Sequence, residues 1–275
     1  MANIGATTAF YKVETSLTRS NNEVSKSMER LATGKANANA GDRSSYVAMA
    51  DTFRLDFAGT KAGIKGAAVV MGYLETGMRV LDAASGLLAR LQELAVLGAN
   101  GTNTTADSNA INAEAEAIAD EFNRMMQNST YKGKTVFVAS VAGENVAMGG
   151  RSANMTYGIE QVTYGALYTS SALVKTPSNG ATDVGALTSL VESIQTKLNT
   201  ARVQAGSQYA ALESAVNYTL DLTAQYELGF NTVNDVNFSM ETAHLAKNQI
   251  LQQAATAMLA QANRGQQGLL QLINN

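Results

Sequence analysis

The sequence predicts a mainly α fold, with helices at both ends of the chain and a small β region between them. Three observations support this prediction. Alanine, the strongest helix former, accounts for 45 of the 275 residues. Apolar residues recur at three- and four-residue steps over long segments of both halves. In the middle of the chain, short β-branched runs are separated by glycines, which is typical of β-hairpins.

A heptad-like stripe predicts the first helix. Its apolar residues Phe10, Leu17, Val24 and Leu31 are spaced by seven. Val13 and Met28 lie at intervening positions. Gly34 is suited to the position that ends a helix, because glycine readily adopts the left-handed backbone found there. The small and polar segment 35–42 then predicts a loop or a weakly ordered connector.

The second helix is expected from Ser44 or Ser45 to about Ala99, a length at which an extended assembly is suspected. Its predicted buried stripe is Val70, Leu74, Leu81, Ala84, Leu88, Leu91 and Ala95. Glycines at 59, 63, 66, 72, 77 and 86 weaken the pattern and are expected to mark breaks or close helix contacts.

A turn at Asn100-Gly101 separates this helix from a third one that begins near Asp107, with Asp107 or Ser108 as N-cap. The predicted buried face of the third helix is Ile111, Ala115, Ile118, Phe122, Met125 and Met126.

The period changes between Tyr131 and about Tyr168, where one or two β-hairpins are predicted. The run 135–139 is β-branched, and Met155, Tyr157 and Ile159 alternate with polar or small residues. A turn at Pro177-Ser-Asn-Gly180 leads out of this region.

The last hundred residues are predicted to be helical again. Three interleaved series repeat every eleven residues, which keeps a helical seam nearly straight: Leu187, Leu198, Tyr209 and Leu220; Leu190, Ala201 and Leu212; Ile194, Ala205 and Val216. After Gly229 a final helix is expected from about Asn237, with the stripe Ile250, Leu251, Ala254, Met258, Ala262, Leu269 and Leu272. Gly265 and Gly268 are expected to end that helix early.

Composition excludes several classes of function. The chain has no cysteine, which excludes disulfides, thiolate nucleophiles and cysteine metal sites. A net charge of −3 gives no indication of nucleic-acid binding. No apolar run approaches a membrane span, so membrane insertion is not expected. Residues 1–13 lack a basic segment followed by an apolar core, and we therefore expect no Sec-type signal peptide.

The single histidine, His244, carries no indication of catalysis or metal binding. Glu241 lies three residues before it and could pair with its imidazolium, but no carboxylate pair or second histidine accompanies it at ligand spacing. The glycines match neither a Walker loop nor a dinucleotide fingerprint. We therefore expect neither enzymatic activity nor a cofactor or metal.

The pattern by itself leaves two architectures open. In one, the two ends pack onto a single core and form an ordinary helical bundle. In the other, the terminal apolar stripes are buried against further copies of the chain. The motifs described next favour self-assembly.

Several motifs resemble those of bacterial flagellin. Glu29-Arg-Leu-Ala-Thr-Gly34 is similar to the ERLxxG signature of that family, and Leu91-Gln-Glu-Leu-Ala-Val96 is similar to its RELAV segment. Tyr131-Lys-Gly133 resembles the turn before its hairpin. The C-terminal segments 248–254 and 259–263 are similar to its QILQQA and LAQAN motifs. The resemblance covers about residues 1–140 and 183–275, as in short flagellins that have only the filament-core domains.

The resemblance implies a long antiparallel helical rod with a coiled-coil terminal layer and a small central β-hairpin region. Residues 1–42 and 231–275 would form the inner-core helices, and residues 43–140 and 183–230 the rod helices. Residues 141–182 would be the short central β segment.

The implied function is that of a structural subunit of the helical flagellar filament, which a rotary motor turns for swimming motility. Self-assembly through the inner core is expected to use Phe10, Leu17, Val24, Leu31, Ile250, Leu251, Met258, Leu269 and Leu272. The location would be extracellular, after type III export without a cleaved signal peptide.

Other partners implied by the resemblance are a flagellin export chaperone, the filament cap and the junction proteins. The C-terminal stripe resembles the segment held by the chaperone. A vertebrate innate immune receptor is a further candidate partner, through the positions of Arg90, Leu94 and Glu114; Gln92 stands there where many flagellins have arginine. A hook-filament junction protein and a non-polymerising secreted binding protein of the same fold remain as alternatives.

Overall fold

Five helices and six short strands form the fold in the computed structural model, which describes residues 8–39, 41–139, 144–149, 154–162 and 180–273. The helices are α1 (Thr8–Thr33), α2 (Ser44–Gly98), α3 (Thr105–Asn128), α4 (Gly180–Asn234) and α5 (Phe238–Ile273). The prediction of a mainly α fold with a small β region is therefore confirmed. The predicted turn before α4 lies outside the described residues, except for Gly180.

The strands are β1 (Thr130–Tyr131), β2 (Lys134–Thr135), β3 (Phe137–Val138), β4 (Glu144–Ala147), β5 (Asn154–Tyr157) and β6 (Ile159–Glu160). Strands β1 and β2 form an antiparallel hairpin, as do β4 and β5, in which Val146 lies opposite Met155. Lys132 and Gly133 both have positive φ angles, 53° and 79°, as a tight two-residue hairpin turn requires. The pairing of β3 with β6 is parallel and was not predicted.

The chain divides into two compact units. The first contains residues 1–55 and 225–275, and the second contains residues 56–224. The predicted division into five segments remains a prediction.

The helix ends agree with the sequence in part. Gly34 follows α1 with a φ of 70°, as predicted. The N-cap of α3 is Thr104 and not Asp107 or Ser108: its hydroxyl accepts the backbone N–H of Asp107, whose carboxylate accepts the backbone N–H of Thr104. Asp107 thus has the third helical position of a capping box, which explains why it resembled a cap.

Two glycine-based predictions of helix ends were wrong. Helix α4 continues through Gly229 to Asn234. The glycine at this position lets the Phe53 ring approach the helix, since a Cβ there would lie 3.0 Å from the ring. Helix α5 continues through Gly265 and Gly268 to Ile273. A helical glycine weakens a helix by about 1 kcal/mol relative to alanine, which is too little to end a helix held by its neighbours.

The hydrophobic core of the second unit is built from the predicted stripes. All seven predicted residues of α2 are buried, as are Ile111, Ala115, Phe122 and Met126 of α3. From α4 the core receives Ile194, Leu198, Ala201, Ala205 and Leu212. The side chain of Leu187 lies outside the described residues.

The eleven-residue repeat of α4 fails at its last member. Leu220 is exposed, and Thr219 and Thr223 are buried in its place. Their hydroxyls donate to the carbonyl oxygens of Ala215 and Thr219, and the Thr223 hydroxyl also contacts that of Thr60 at 2.8 Å. Because these hydroxyls are satisfied internally, threonine can replace leucine at this part of the seam.

The glycines of α2 do not break the helix but allow the β segments to approach it. A Cβ at Gly63 would overlap the backbone carbonyl of Met148, and one at Gly77 would overlap the Ile159 side chain. A Cβ at Gly72 would lie 2.7 Å from the hydroxyl oxygen of Tyr131. The expectation that some of these glycines mark close contacts is met at these positions, with the contacts made by the β region.

Tyr73 holds the same interface with a hydrogen bond. Its side chain is buried, and its hydroxyl donates to the carbonyl oxygen of Val136 and lies 3.3 Å from that of Thr135. Burial raises the pKa of Tyr73 to about 12, so the hydroxyl remains a donor at neutral pH. The Tyr73 ring also packs edge-on against Tyr157 and Tyr131.

Replacing Gly63 with alanine tests whether the close approach stabilises the second unit. Because the new Cβ would overlap backbone atoms of Met148, we expect the free energy of unfolding to fall by about 1–3 kcal/mol. Gly86→Ala on the same helix is the matched control, since a Cβ there meets open space. It should leave stability unchanged or raise it by up to about 1 kcal/mol. Urea unfolding followed by circular dichroism measures both, and equal stabilities would contradict the prediction.

Candidate functional site

The terminal helices α1 and α5 are the candidate site, and they pack against each other within the first unit. The pair is antiparallel: the Gln252 side-chain amide donates to Asn21 Oδ1 at 2.6 Å, and Arg30 lies 3.8 Å from Glu241. The direction follows from the order of the contacts, since the earlier α1 residue, Asn21, meets the later α5 residue, Gln252, and the later Arg30 meets the earlier Glu241.

The face of α1 that packs toward α5 has two rows of residues. The predicted row is only half-buried: Phe10, Leu17, Val24 and Leu31. The second row is offset by three residues and includes Ser20 and Ser27, which are 7% and 4% exposed. The most deeply buried positions of α1 therefore carry small hydroxyl side chains. Sequence reasoning missed this row, although its seven-residue spacing was visible beside the apolar one.

The inward face of α5 has strict four- and three-residue spacing and contains both apolar and polar residues. Its members are Glu241, Leu245, Asn248, Gln252, Ala255, Leu259 and Ala262. Glu241 and Ala255 are the most buried of them. Its alternating steps match the α1 rows and form a coiled-coil-like seam in which apolar side chains are interspersed with polar ones.

The larger apolar residues of α5 lie on its outward side. Ile250, Leu251 and Met258 are 66%, 46% and 53% exposed, and Phe238 and Met240 are also exposed. The predicted stripe therefore does not face α1. The side chains of Leu269 and Leu272 lie outside the described residues. We call Ile250, Leu251 and Met258 the outer apolar face.

Backbone contacts hold the loop after α1 in place. The Ala36 N–H donates to the Asn234 carbonyl oxygen at 2.7 Å, and the Val236 N–H donates to that of Gly34 at 3.0 Å. The Asn37 side chain donates to the Val233 carbonyl oxygen at 3.3 Å. The predicted loop is present, and its described residues are tied to the α4–α5 connection.

An ion pair closes the same loop onto α1. Lys26 Nζ lies 2.9 Å from Asp42 Oδ1, and the Asp42 side chain is only 10% exposed. The hydrogen bond from Lys26 lowers the pKa of Asp42, and the charges of Lys26 and Arg30 act in the same direction.

His244 lies exposed on α5 beside a groove of about 540 Å³ that Glu23, Arg30, Tyr46 and Asn248 help to line. Glu241 pairs with Arg30, and not with His244 as considered from the sequence. Within the described ranges, no group of three or more histidine or acidic residues has the geometry of a metal site. No described helix has the length and apolar character needed to cross a membrane.

The three candidate receptor positions lie in the second unit. Arg90 forms a surface network with Glu114 at 2.7 Å and Glu93 at 2.8 Å. Leu94 is 1% exposed and belongs to the core, so only Arg90 and Glu114 of the three have side chains at the surface. Gln92 donates to the Thr188 hydroxyl of α4 at 2.9 Å and thereby joins two helices.

Comparison with known families identifies the chain. The model of the bacterial flagellin N-terminal helical region matches residues 5–142, and that of the bacterial flagellin C-terminal helical region matches residues 178–273. The chain belongs to the bacterial flagellin family. The resemblance seen in the motifs is confirmed, and both terminal helices lie within the matched regions of this flagellin-family chain.

Similar proteins extend over nearly the whole length. A flagellin of Halalkalibacterium halodurans is 25% identical over 258 residues, with 92% of each chain covered. The flagellar filament 33 kDa core protein of Treponema phagedenis is 26% identical over 275 residues and 94% of each chain.

Among solved structures, that of a proposed flagellar hook-associated protein of Vibrio parahaemolyticus has a TM-score of 0.59. At 13% identity it covers 70% of this flagellin-family chain and 100% of its own, and it shows similarity of fold alone.

The Lys26–Asp42 pair predicts a pH dependence of stability. Because the folded state lowers the pKa of Asp42, the pair stabilises above the unfolded-state value of about 3.9 and loses its effect as the pH falls through the folded-state value. Asp42→Asn should lower the free energy of unfolding by up to about 1 kcal/mol at neutral pH. The difference from wild type should shrink in acid below about pH 4.

Unfolding curves of both proteins across this range measure the effect. Asp51→Asn is the control, since the Asp51 carboxylate is 62% exposed in its pair with Arg54. A difference between wild type and Asp42→Asn that stays constant from neutral to acid pH would refute the ion-pair explanation.

Proposed function

We propose that this chain is the structural subunit of a bacterial flagellar filament, assembled from copies of itself and used for swimming motility. The observation that carries the proposal is the outer apolar face of α5 in a member of the flagellin family. A face with three large exposed apolar side chains is suited to burial against further protein.

The energetics favour assembly through this face. Burial of apolar area stabilises by about 25 cal/mol per Å², so each leucine- or isoleucine-sized side chain contributes roughly 1.5–3 kcal/mol when covered. A face on one subunit that meets a different face on the next gives a heterologous contact, which generates a helical fibre when the rotation does not close.

In this proposal, residues 1–42 and 231–275 form the inner layer of the filament around a narrow channel. Residues 43–140 and 183–230 form the surrounding helical layer, with residues 141–182 as a short β segment on its side. Phe10, Leu17, Val24 and Leu31 would contribute to the inner layer with Ile250, Leu251, Met258, Leu269 and Leu272. The filament is extracellular in this proposal, and its subunits are exported by a type III route.

A hook-filament junction protein is the second candidate function, because the chain shares its fold with a proposed hook-associated protein. The matches to both flagellin terminal regions and to filament core proteins favour the filament subunit. A junction protein or a non-polymerising binding protein would not form long filaments of its own.

Substitutions on the outer apolar face test self-assembly. The double change Leu251→Ser and Met258→Ser should preserve helix content, because both side chains are exposed in the single chain. It should raise the critical concentration for polymerisation at least about tenfold, which corresponds to a loss of only about 1.4 kcal/mol. Seeded or salt-induced assembly, viewed by electron microscopy and quantified by sedimentation, measures the effect.

Gln253→Ser is the matched control, since Gln253 is exposed on the same helix and is already polar. It should assemble like the wild type. Normal filaments from the double variant would exclude the outer apolar face as an assembly surface. A wild-type chain that forms no long filaments after seeding would exclude the filament function itself.

The export chaperone is proposed to hold the same C-terminal segment before assembly. Exposed apolar residues at 250, 251 and 258 would be covered by the chaperone first and by neighbouring subunits later. A small helical partner should co-purify with the full chain and be lost when residues 251–275 are deleted, and its retention by the truncated chain would contradict this assignment. The truncated chain should remain a helical monomer.

The filament cap and junction proteins are proposed to contact the subunit at the two ends of the filament. The innate-receptor contact is proposed to use the exposed Arg90 and Glu114. The buried Leu94 would hold the helix in position by packing in the core. A cell reporter for that receptor, treated with monomer, tests this, and no response at high dose would reject it.

A further inference from the structure

We propose that Asn100 is a site of spontaneous deamidation, in which the backbone nitrogen of Gly101 closes a succinimide ring on the asparagine side chain. The site lies in the exposed turn between α2 and α3, within the second unit. It is independent of the filament function, because it concerns the chemistry of the single folded chain.

The side-chain carbonyl of Asn100 is held by two donors from the same residue. The backbone N–H of Thr102 donates to Asn100 Oδ1 at 3.2 Å, and the Thr102 hydroxyl donates to the same oxygen at 3.0 Å. Two donors withdraw electron density from the carbonyl carbon and stabilise negative charge that develops on the oxygen during attack. The turn therefore prepares the Asn100 carbonyl as an electrophile.

The nucleophile is also accessible. Gly101 is exposed, and a Cβ built on it would meet no atom within 4 Å. The turn is held by backbone bonds on either side of the reacting atoms: the Asn100 N–H donates to the Leu97 carbonyl oxygen, and the Asn103 N–H donates to that of Asn100. Glycine leaves the attacking nitrogen unhindered and the backbone flexible enough to close a five-membered ring.

The reaction balances with water as the only co-reactant. The Gly101 nitrogen forms a bond to Asn100 Cγ, the Cγ–Nδ2 bond breaks, and the proton lost from Gly101 leaves with ammonia. Water then opens the succinimide at one of its two carbonyls. One opening gives aspartate and the other gives isoaspartate, and no atom changes oxidation state.

Either product places a new carboxylate just after the C-terminal end of α2. The partial negative charge of a helix C-terminus makes that location unfavourable for an anion. Isoaspartate also lengthens the main chain by one methylene group within a turn whose Asn103 side chain donates to the Leu97 carbonyl oxygen at 2.8 Å. The modification would loosen the connection between α2 and α3 as the protein ages.

The test is incubation of the full-length folded chain in mildly alkaline buffer, followed by proteolysis and mass spectrometry. The peptide containing Asn100 should gain about 1 Da and divide into aspartate and isoaspartate forms. Asn128 and Asn217, which precede serine and tyrosine, provide slower comparison sites in the same digest, and Asn179-Gly180 provides a second Asn-Gly pair.

Two variants separate the contributions to the rate. Gly101→Ala should slow modification of Asn100 about tenfold or more without disturbing the fold, since its Cβ meets open space. Thr102→Val retains the backbone N–H but removes the hydroxyl, and it should slow the reaction several-fold. An Asn100 that keeps its mass while Asn179 deamidates would overturn the proposal. An unchanged rate in Thr102→Val would overturn the role assigned to the Thr102 hydroxyl.

Discussion

The close approach of the β segments to α2 is the constraint on which the second unit depends. Gly63, Gly72 and Gly77 leave space on the helix surface, and the backbone of Met148 and the side chains of Tyr131 and Ile159 occupy it. Tyr73 then places a buried hydroxyl against the carbonyl oxygens of Thr135, at the end of β2, and Val136, which precedes β3. Because protein interiors are close-packed, a Cβ at position 63 would displace the backbone of Met148, and one at position 72 or 77 would require the Tyr131 or Ile159 side chain to shift.

The first unit differs, since the seam of its helix pair contains polar as well as apolar residues while large apolar side chains of α5 are exposed on the outer side. Ser20, Ser27, Asn248 and Gln252 lie in the seam between α1 and α5, whereas Ile250 and Leu251 are exposed. A monomer that had to be stable by itself would be expected to bury its largest apolar side chains. The arrangement is consistent with a pair of helices whose apolar surface is reserved for other protein chains.

Sequence reasoning was accurate where a single helix faces a single core. All seven predicted residues of the α2 stripe from Val70 to Ala95 are buried, and the prediction omitted the buried Tyr73 and Leu94 of the same segment. It was less complete for α5, a helix that has two possible partners. The α5 stripe was recognised as apolar, but the pattern could not show that Glu241 and Ala255 would face α1 and Ile250 would face outward. Local glycine signals also misled, since Gly229 accommodates the Phe53 ring and does not end α4.

By itself, the sequence determined the mainly α fold, most helix positions, the central β region, many of the buried residues of the second unit and the family. These properties depend on periodicity, turn chemistry and short motifs, all of which are local along the chain. Only the tertiary structure decided the parallel pairing of β3 with β6, the polar residues within the seam between α1 and α5, and the burial of Leu94. Each of these depends on which surfaces meet across large sequence separations, and periodicity gives the direction of a face but not the identity of its partner.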